Sequence, residues 1–586
     1  MKMSLKIAVA AFCCLILQLD TKAKAQEIPE WTAAIGWDDL MQELGSAAPN
    51  GSGVTVSQVE APTGGDAYQP DTNSNEFLNP DKSFTDLSGL NDLVSSHANG
   101  VARRIYGNNS SIAPGVVDVY LYEANDWLNN GLGFAGNGNP APHPYSVQNH
   151  SWIANGQPVG IVTSLLGRAD FLANQYNLNI VVGVGNTAGA STPQLLAHGF
   201  NSISVGVTSG DHSFQPTTLL GAGRRKPELV AIAGSTSFAT ARISALASLM
   251  REATAGTNAE NNEVVKAILL AGATKTEFAD WDQTQERPLD DVFGVGEANI
   301  YNSYKIFEAG EVDGAAAPTE FGGSEGWDFE SIEAGGTRSY IIEITEPAAH
   351  MSVVLTWNRQ INDGAANPDL FSPQAVMPDL DLLISSDGAA QFSTSTVDNI
   401  EHIYLTDIQP GQYFVIVSSN RDADYSLAWR TAERTDSLLS DVQVQTGSDN
   451  GGSPSDLEFD DSNFYIARPG LKTGTGFLTT VEFESTTSIS MPNDIKLSID
   501  GFANTPNLDV EFSFFNFTTQ EFVAMQSMPM PTSESNVAGQ VIGELNDFVE
   551  PGTGVVRARA TWAPVGPVLM YPWSIVMDRA VFEISQ

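Results

Sequence analysis

Cysteine is almost missing from the 586 residues: there are two, Cys13 and Cys14, and both fall in the first 26 positions. No disulfide can brace the chain beyond that segment, so packing or bound ions must do so. Basic residues are scarce as well, 28 Lys and Arg against 70 Asp and Glu, for a formal net charge of −42. Such a surface repels nucleic acid and anionic membranes and excludes both as electrostatic partners. After the N-terminus no stretch reaches the roughly 18 uninterrupted apolar residues of a membrane span. The N-terminus itself has Lys2 and Lys6, an apolar run from Ile7 to Leu19, and "KAKA" before Gln26. Residues 1–26 therefore read as a secretory signal peptide. Phe12 before Cys13, and Cys13 before Cys14, are not the small residue expected ahead of a lipid-modified cysteine. The expected location is outside the cytoplasm: secreted, at the cell surface or periplasmic.

The rest of the chain has two textures. From 53 to about 312, short β-branched runs alternate with helical spacing. "GVTVSQVEA" (53–61), "VDVYLYEA" (117–124), "YSVQNHSW" (145–152), "LNIVVGVGN" (178–186) and "NSISVGVT" (201–208) read as strands, and "VTSLLGRADFLANQY" (162–176) as a helix. This is the pattern of an α/β domain built on a parallel sheet. From about 316, strands such as "SYIIEI", "MSVVLTW" and "QYFVIVSS" follow one another across Gly, Pro, Asp and Asn turns with no helix between them. "VRARATW" (556–562) alternates with period two, as a half-exposed strand should. The expected domains are 27–315 (α/β), 316–433 (β-sandwich) and 434–586 (a second β domain). "GRRKPE" (223–228), the one locally basic stretch, reads as a surface loop before a strand.

"GSTSFATARISALASLM" (234–250) crowds Ser235, Thr236, Ser237 and Thr240 into the start of a helix whose apolar face is Ile243, Leu246, Ala247 and Met250. One hydroxyl suffices for an N-cap. A second reading is a nucleophilic serine placed where free amides and the helix dipole favour an oxyanion. Of seven histidines, His97 in "SSHANGVARRIYG" opens a helix in which Gly100 permits close packing. His150, His198 and His212 could lie near such a site.

"HANGVA" resembles the histidine box of subtilisin-like serine peptidases, and "STSFATA" their serine box. "GVTVSQVEA" and "IVVGVGN" resemble, in the same chain order, the strands that end in the triad acid and in the oxyanion-hole asparagine. The resemblance spans roughly residues 50–310. It implies a parallel-sheet catalytic domain in which Ser237 is the nucleophile, His97 the general base, and Asn186 with the Ser237 amide the oxyanion donors. Asn149, Ser151 and Trp152 match the edge along which the family pairs an extended polypeptide substrate. The triad acid position is Glu60 rather than Asp. One more methylene requires a shift of about an ångström, and a displacement of that size can cost on the order of 10²-fold in rate. Glu does serve as the acid in other Ser-His-acid enzymes. Ala98, Asn99, Ser235 and Ala241 also depart from the boxes, and Asp66 and Asp71 are alternative orienting acids. The roughly 25 residues between signal segment and first strand are too few for the folding propeptide common in the family.

Residues 316–433 resemble the β-sandwich modules appended to secreted subtilases, and those from 434 a terminal β domain of some secreted bacterial proteins. Asp379, Asp381 and Asp387 are candidate Ca²⁺ ligands or simply strand-end turn residues. No other cofactor is expected. The function that follows is a monomeric, secreted serine endopeptidase with a Ser-His-Glu triad. The alternative is an inactive scaffold of the same fold that binds a surface partner.

Overall fold

The computed structural model describes residues 28–585 apart from 276–277, 279, 368, 387, 459–462, 471–476, 488, 490–491, 544 and 569. Residues 1–26, expected to be a signal peptide, lie outside the described residues. The strands β1 (Thr55–Glu60), β2 (Ser83–Asp86), β3 (Asp118–Glu123), β4 (Val147–His150), β5 (Asn179–Gly183), β6 (Ser202–Val207) and β7 (Leu229–Ala231) form one sheet in the order β2-β3-β1-β4-β5-β6-β7. Every pairing in it is parallel. The helices of this part are α1 (Ile28–Ala34), α2 (Trp37–Leu44), α3 (Ser96–Tyr106), α4 (Ala124–Asp126), α5 (Val159–Gln175), α6 (Thr236–Ala253), α7 (Asn262–Ala271) and α8 (Ile300–Ala309). On one face Val101, Ile105, Ile243, Leu246, Val264 and Ile268 share a core with Val181 and Val205. On the other, Trp127, Leu165, Leu166 and Leu172 pack with Ile180 and Val182. The strands β5 and β6 are buried throughout, which is why their sequences read as near-continuous apolar runs.

All five expected strands are present, trimmed at their ends, and the expected helix begins a turn early at Val159. The strand β2, with half-exposed "SFTD", and the three-residue β7 carry too little pattern to be seen in sequence. The helix at 236 is not amphipathic as expected. Every residue from Ala239 to Arg251 is buried. Its hydroxyls survive burial because Thr240, Ser244 and Ser248 donate to the carbonyls of Thr236, Thr240 and Ser244 at 2.7, 2.9 and 2.8 Å.

The stretch 223–228 precedes a strand as expected, but it is not on the surface. Arg224, Lys226 and Glu228 are buried. Arg224 donates to the carbonyls of His198 (2.6 Å) and Gly199 (3.1 Å) and lies 3.7 Å over the Phe200 ring. Glu228 meets Lys226 and Lys266. Burial brings Lys226 down to about 8. Burial raises Glu228, but Lys226 and Lys266 outweigh it, so the carboxyl stays below its ordinary range.

Among the described residues the remainder is mainly antiparallel β structure; Thr337–Ile344 pairs in parallel with Phe321–Gly322, as does Glu311 with Trp327 in an isolated bridge. One compact unit takes in the chain up to Ile344, Met351–Leu405 and Gly411–Thr431. It holds the parallel sheet and also a five-stranded sheet in the order Ala389–Ser393, Leu380–Ser386, Gly411–Ser419, Thr337–Ile344, Phe321–Gly322. The β part is bolted to the α/β part through buried polar groups. Arg359 Nε donates to Asp170 Oδ2 of α5 at 2.8 Å, and Asp170 Oδ1 accepts the amides of Phe200 and Asn201. The second unit, from Ala432 onward with Thr345–His350 and Thr406–Pro410, is built mainly of antiparallel strands around an apolar core. In Val555–Pro564, Val556, Ala558, Ala560 and Trp562 point inward, and Arg557 and Arg559 point outward to Glu484 and Glu482 at 2.8 Å. This is the period-two alternation expected of "VRARATW".

Removing one partner of a buried ion pair leaves an uncompensated charge. Asp170→Ala is expected to destabilise the first unit by about 3–5 kcal/mol, read from urea unfolding. The double change Asp170→Asn with Arg359→Met, which removes both charges and keeps an oxygen for the amides of Phe200 and Asn201, should recover part of that loss.

Candidate active site

A parallel sheet puts all its carboxyl ends on one edge, and helices that cross back start there. Glu60 ends β1, and Ser151 follows β4. Asn186 lies three residues past β5, His97 is the second residue of α3, and Ser237 the second of α6. The strands β1, β4 and β5 are neighbours in the sheet, so five dispersed stretches of sequence converge on one crevice.

The acid and base are in contact. Glu60 Oε2 lies 2.7 Å from His97 Nδ1, with the Glu60 side chain 1% and the His97 side chain 17% exposed. The longer side chain thus still closes the hydrogen bond. Gln58, two residues earlier on the same face of β1, donates from Nε2 to Glu60 Oε1 at 2.8 Å. Ser95 caps α3 by accepting from the Ala98 amide, which fixes the first turn that carries His97. Gly100 does permit close packing: a Cβ there would stand 3.0 Å from the Phe238 ring, which stacks against His97 with centroids 6.5 Å apart. Burial lowers the His97 pKa, but the Glu60 charge and its hydrogen bond outweigh it, so the imidazole sits above its ordinary 6.5.

The crowded hydroxyls each have a place. Ser235 makes no cap bond. The first-turn amide is instead taken from outside the helix: Asn186 Oδ1 accepts the Thr236 N–H at 2.8 Å. Thr236 Oγ1 lies 2.7 Å from the Val184 carbonyl and 2.8 Å from Asn186 Oδ1, with one proton to give. Because a backbone N–H only donates, Oδ1 is the atom that faces the helix, and Nδ2 of the exposed Asn186 has no partner among the described residues. The next amide, that of Ser237, has no hydrogen-bond partner among the described residues. Ser237 Oγ donates to the Ser151 carbonyl at 3.2 Å. His97 Nε2 is buried with no partner among the described residues.

The side chains of the expected substrate edge face inward. Asn149 is fully buried, donating to Ser244 Oγ at 3.0 Å and accepting from Ser151 Oγ at 3.0 Å. Trp152 is 5% exposed. Asn149 and Ser151 brace the end of β4 against α6, Trp152 packs into the core on the other face of the sheet, and a substrate would meet only the backbone here. Neither Asp66 nor Asp71 bonds His97; the Asp71 carboxylate accepts from the Asn73 amide at 3.2 Å. Burial holds His150 at about 3 and His143 and His198 at about 4. His212 is tied to the Val292 carbonyl and the Val207 amide. Burial raises Asp379 and Asp381, the latter also through Asp379, and Asp387 lies outside the described residues. Among the described residues no three acidic, His or Cys side chains cluster as a metal site. Thr236 and Gln58 were not singled out as site residues by sequence; the signal for Gln58 is a polar residue in register with Glu60 on a buried strand.

No family model and no curated protein matches the chain. Among solved structures it is similar to the protease domain of PatA, determined as a serine-to-alanine mutant, at 18% identity and TM-score 0.32, covering 45% of this chain and 98% of that one. Fervidolysin from Fervidobacterium pennivorans, a keratinolytic enzyme related to subtilisin, matches at 13% identity and TM-score 0.32, over 94% of this chain and 79% of that one. Tripeptidyl peptidase 2 matches at 10% identity and TM-score 0.25, over 84% and 56%.

The raised His97 pKa is testable by NMR titration of its ring protons. The midpoint should lie above 6.5. In Glu60→Gln only burial remains, so it should fall below that value. With the folded pKa raised, the stability contributed by the pair is fully present below the unfolded value. It is lost as pH rises through the folded one.

Proposed function

We propose that the chain is an exported serine endopeptidase that cleaves polypeptides through an acyl-enzyme, with Ser237, His97 and Glu60 as a variant triad. The observation that carries this reading is the joint arrangement at the α6 N-terminus. A histidine paired to a buried carboxylate stands beside a serine whose own amide and a locked asparagine amide are both free to donate.

The mechanism follows from these groups. Turning Ser237 Oγ away from the Ser151 carbonyl breaks one hydrogen bond and brings the hydroxyl to the unpartnered Nε2 of His97. His97 takes the proton as Oγ attacks the substrate carbonyl, and Glu60 stabilises the imidazolium that forms. The negative charge developing on the carbonyl oxygen is met by Asn186 Nδ2, the Ser237 N–H and the positive end of the α6 dipole. His97 then protonates the leaving amine, and water repeats the sequence to release the acid. Export rests on the N-terminal segment 1–26, and substrates are accordingly extracellular polypeptides.

A second reading has one observation in its favour. Ser237 Oγ is bonded to Ser151 and not to His97, as in a cleft that binds a partner without chemistry. A fluorophosphonate separates the two. Covalent labelling of Ser237 in the wild type, absent from Ser237→Ala, is expected for the peptidase; a folded protein that does not label is the scaffold. In the active enzyme Asn186→Ala should lower kcat by about 10²–10³-fold, the usual cost of one oxyanion donor.

A further inference from the structure

Glu60 poses a mechanical problem that the strand bearing it also answers. A glutamate has one more rotatable bond than an aspartate, so a carboxylate held through Oε2 alone can swing and carry the His97 hydrogen bond with it. Here Oε1 is held as well, by Gln58 Nε2 at 2.8 Å. Residues 58 and 60 share a face of β1 because side chains alternate along a strand. The Gln58 amide is in turn fixed at both ends. Its Nε2 also donates to the Ala98 carbonyl at 2.9 Å, and its Oε1 accepts the Tyr106 hydroxyl at 2.5 Å. A carboxylate only accepts, so Nε2 must be the atom that faces Glu60.

Ala98 and Tyr106 both belong to α3, the helix that carries His97. The hydrogen bonds therefore form a closed circuit: α3 holds Gln58, Gln58 holds Glu60, and Glu60 holds the imidazole of α3. Tyr106 is itself clamped, with its ring 5.6 Å from that of Phe77 and 6.0 Å from that of Phe84. Gln58, Glu60 and Tyr106 are each at most 1% exposed. A buried amide is costly unless its groups are paired, and a leucine would fill this inward strand position without that demand. The three partners of the Gln58 side chain, Glu60, Ala98 and Tyr106, instead lie on the acid or on the helix of the base.

We infer that Gln58 and Tyr106 are positioning residues that hold Glu60 in the orientation His97 requires, so that a glutamate works where an aspartate would otherwise be needed. This inference rests on the serine-peptidase reading for its catalytic meaning, but not for its geometry.

Two variants and two readouts test it. Gln58→Leu keeps the volume and removes the contacts; Tyr106→Phe removes one hydroxyl. With kcat and KM measured on a peptide substrate, kcat should fall about 10²-fold in the first, the cost of a misplaced group. In the second it should fall about fivefold, the worth of one hydrogen bond, and KM should stay unchanged in both. The second readout needs no activity: the His97 Nδ1 proton, shared with Glu60, should give a far-downfield proton NMR resonance in the wild type that broadens or disappears in both variants. Variants that keep both the resonance and kcat overturn the inference. If Gln58→Leu does not fold, Tyr106→Phe decides by the same readouts. If the wild type neither hydrolyses peptides nor labels with a fluorophosphonate, the resonance alone decides: its loss in the variants upholds the positioning while the peptidase reading falls, and its persistence defeats both.

Discussion

The hydrogen bond from the Thr236 amide to Asn186 Oδ1 joins the two parts on which the site depends, the segment after a central strand and the start of a helix buried from Ala239 to Arg251. The helix α6 cannot shift to suit a substrate, since Ala239 to Arg251 are enclosed on all sides. What is attached to its first turn inherits that rigidity. Asn186 is capped onto it, Ser151 reaches the Ser237 carbonyl at 2.8 Å, and Asn149 reaches Ser244 deeper along the helix. Phe238 wedges it against α3 across Gly100. The geometry at this turn is thus fixed by packing within the unit, and on the proposed peptidase reading its donors would be preorganised.

Around this frame the protein buries charge freely for a chain without usable disulfides. Arg224, Lys226, Glu228, Lys266, Asp170 and Arg359 lie inside the first unit, and each ion is paired or donates to carbonyls. Such pairs add little net stability over apolar residues, because desolvation cancels much of their attraction. They do penalise any arrangement that separates the partners. In this chain they fix which loops meet, 198–201 with 224 and 359, and so define how the first β region seats on the parallel-sheet part of the same unit.

Substituting glutamate for aspartate in a charge-orienting role changes what must surround it. A short acid is held by its own backbone, whereas a longer one needs a second anchor for its free oxygen. The polar residue two positions upstream and the tyrosine at the far end of α3 meet that need with atoms already buried. The same environment sets the imidazole's charge balance, with burial pulling its pKa down and Glu60 lifting it further up.

Much of the fold was legible in the sequence because it depends on local patterns. Apolar β-branched runs marked the five long strands, and turn residues marked the all-β region. His97, Ser237, Glu60 and Asn186 could be named because the segments that carry them resemble, in chain order, the boxes of a known family. The carboxyl-edge rule of parallel sheets then brings the ends of such segments together. What the sequence could not give depends on partners far along the chain. Nothing local distinguishes Gln58 from any polar strand residue until Ala98 and Tyr106 arrive beside it. The basic stretch 223–228 looks like a surface loop until Phe200 and Lys266 close over it. Asn149 and Trp152 look like a substrate edge until α6 covers the first and the core on the other face of the sheet encloses the second. Sequence by itself determined which elements form and which chemistry-bearing residues sit at their ends. Only the tertiary structure decided which polar groups are buried and what satisfies them, because burial and hydrogen-bond pairing are properties of the packed whole.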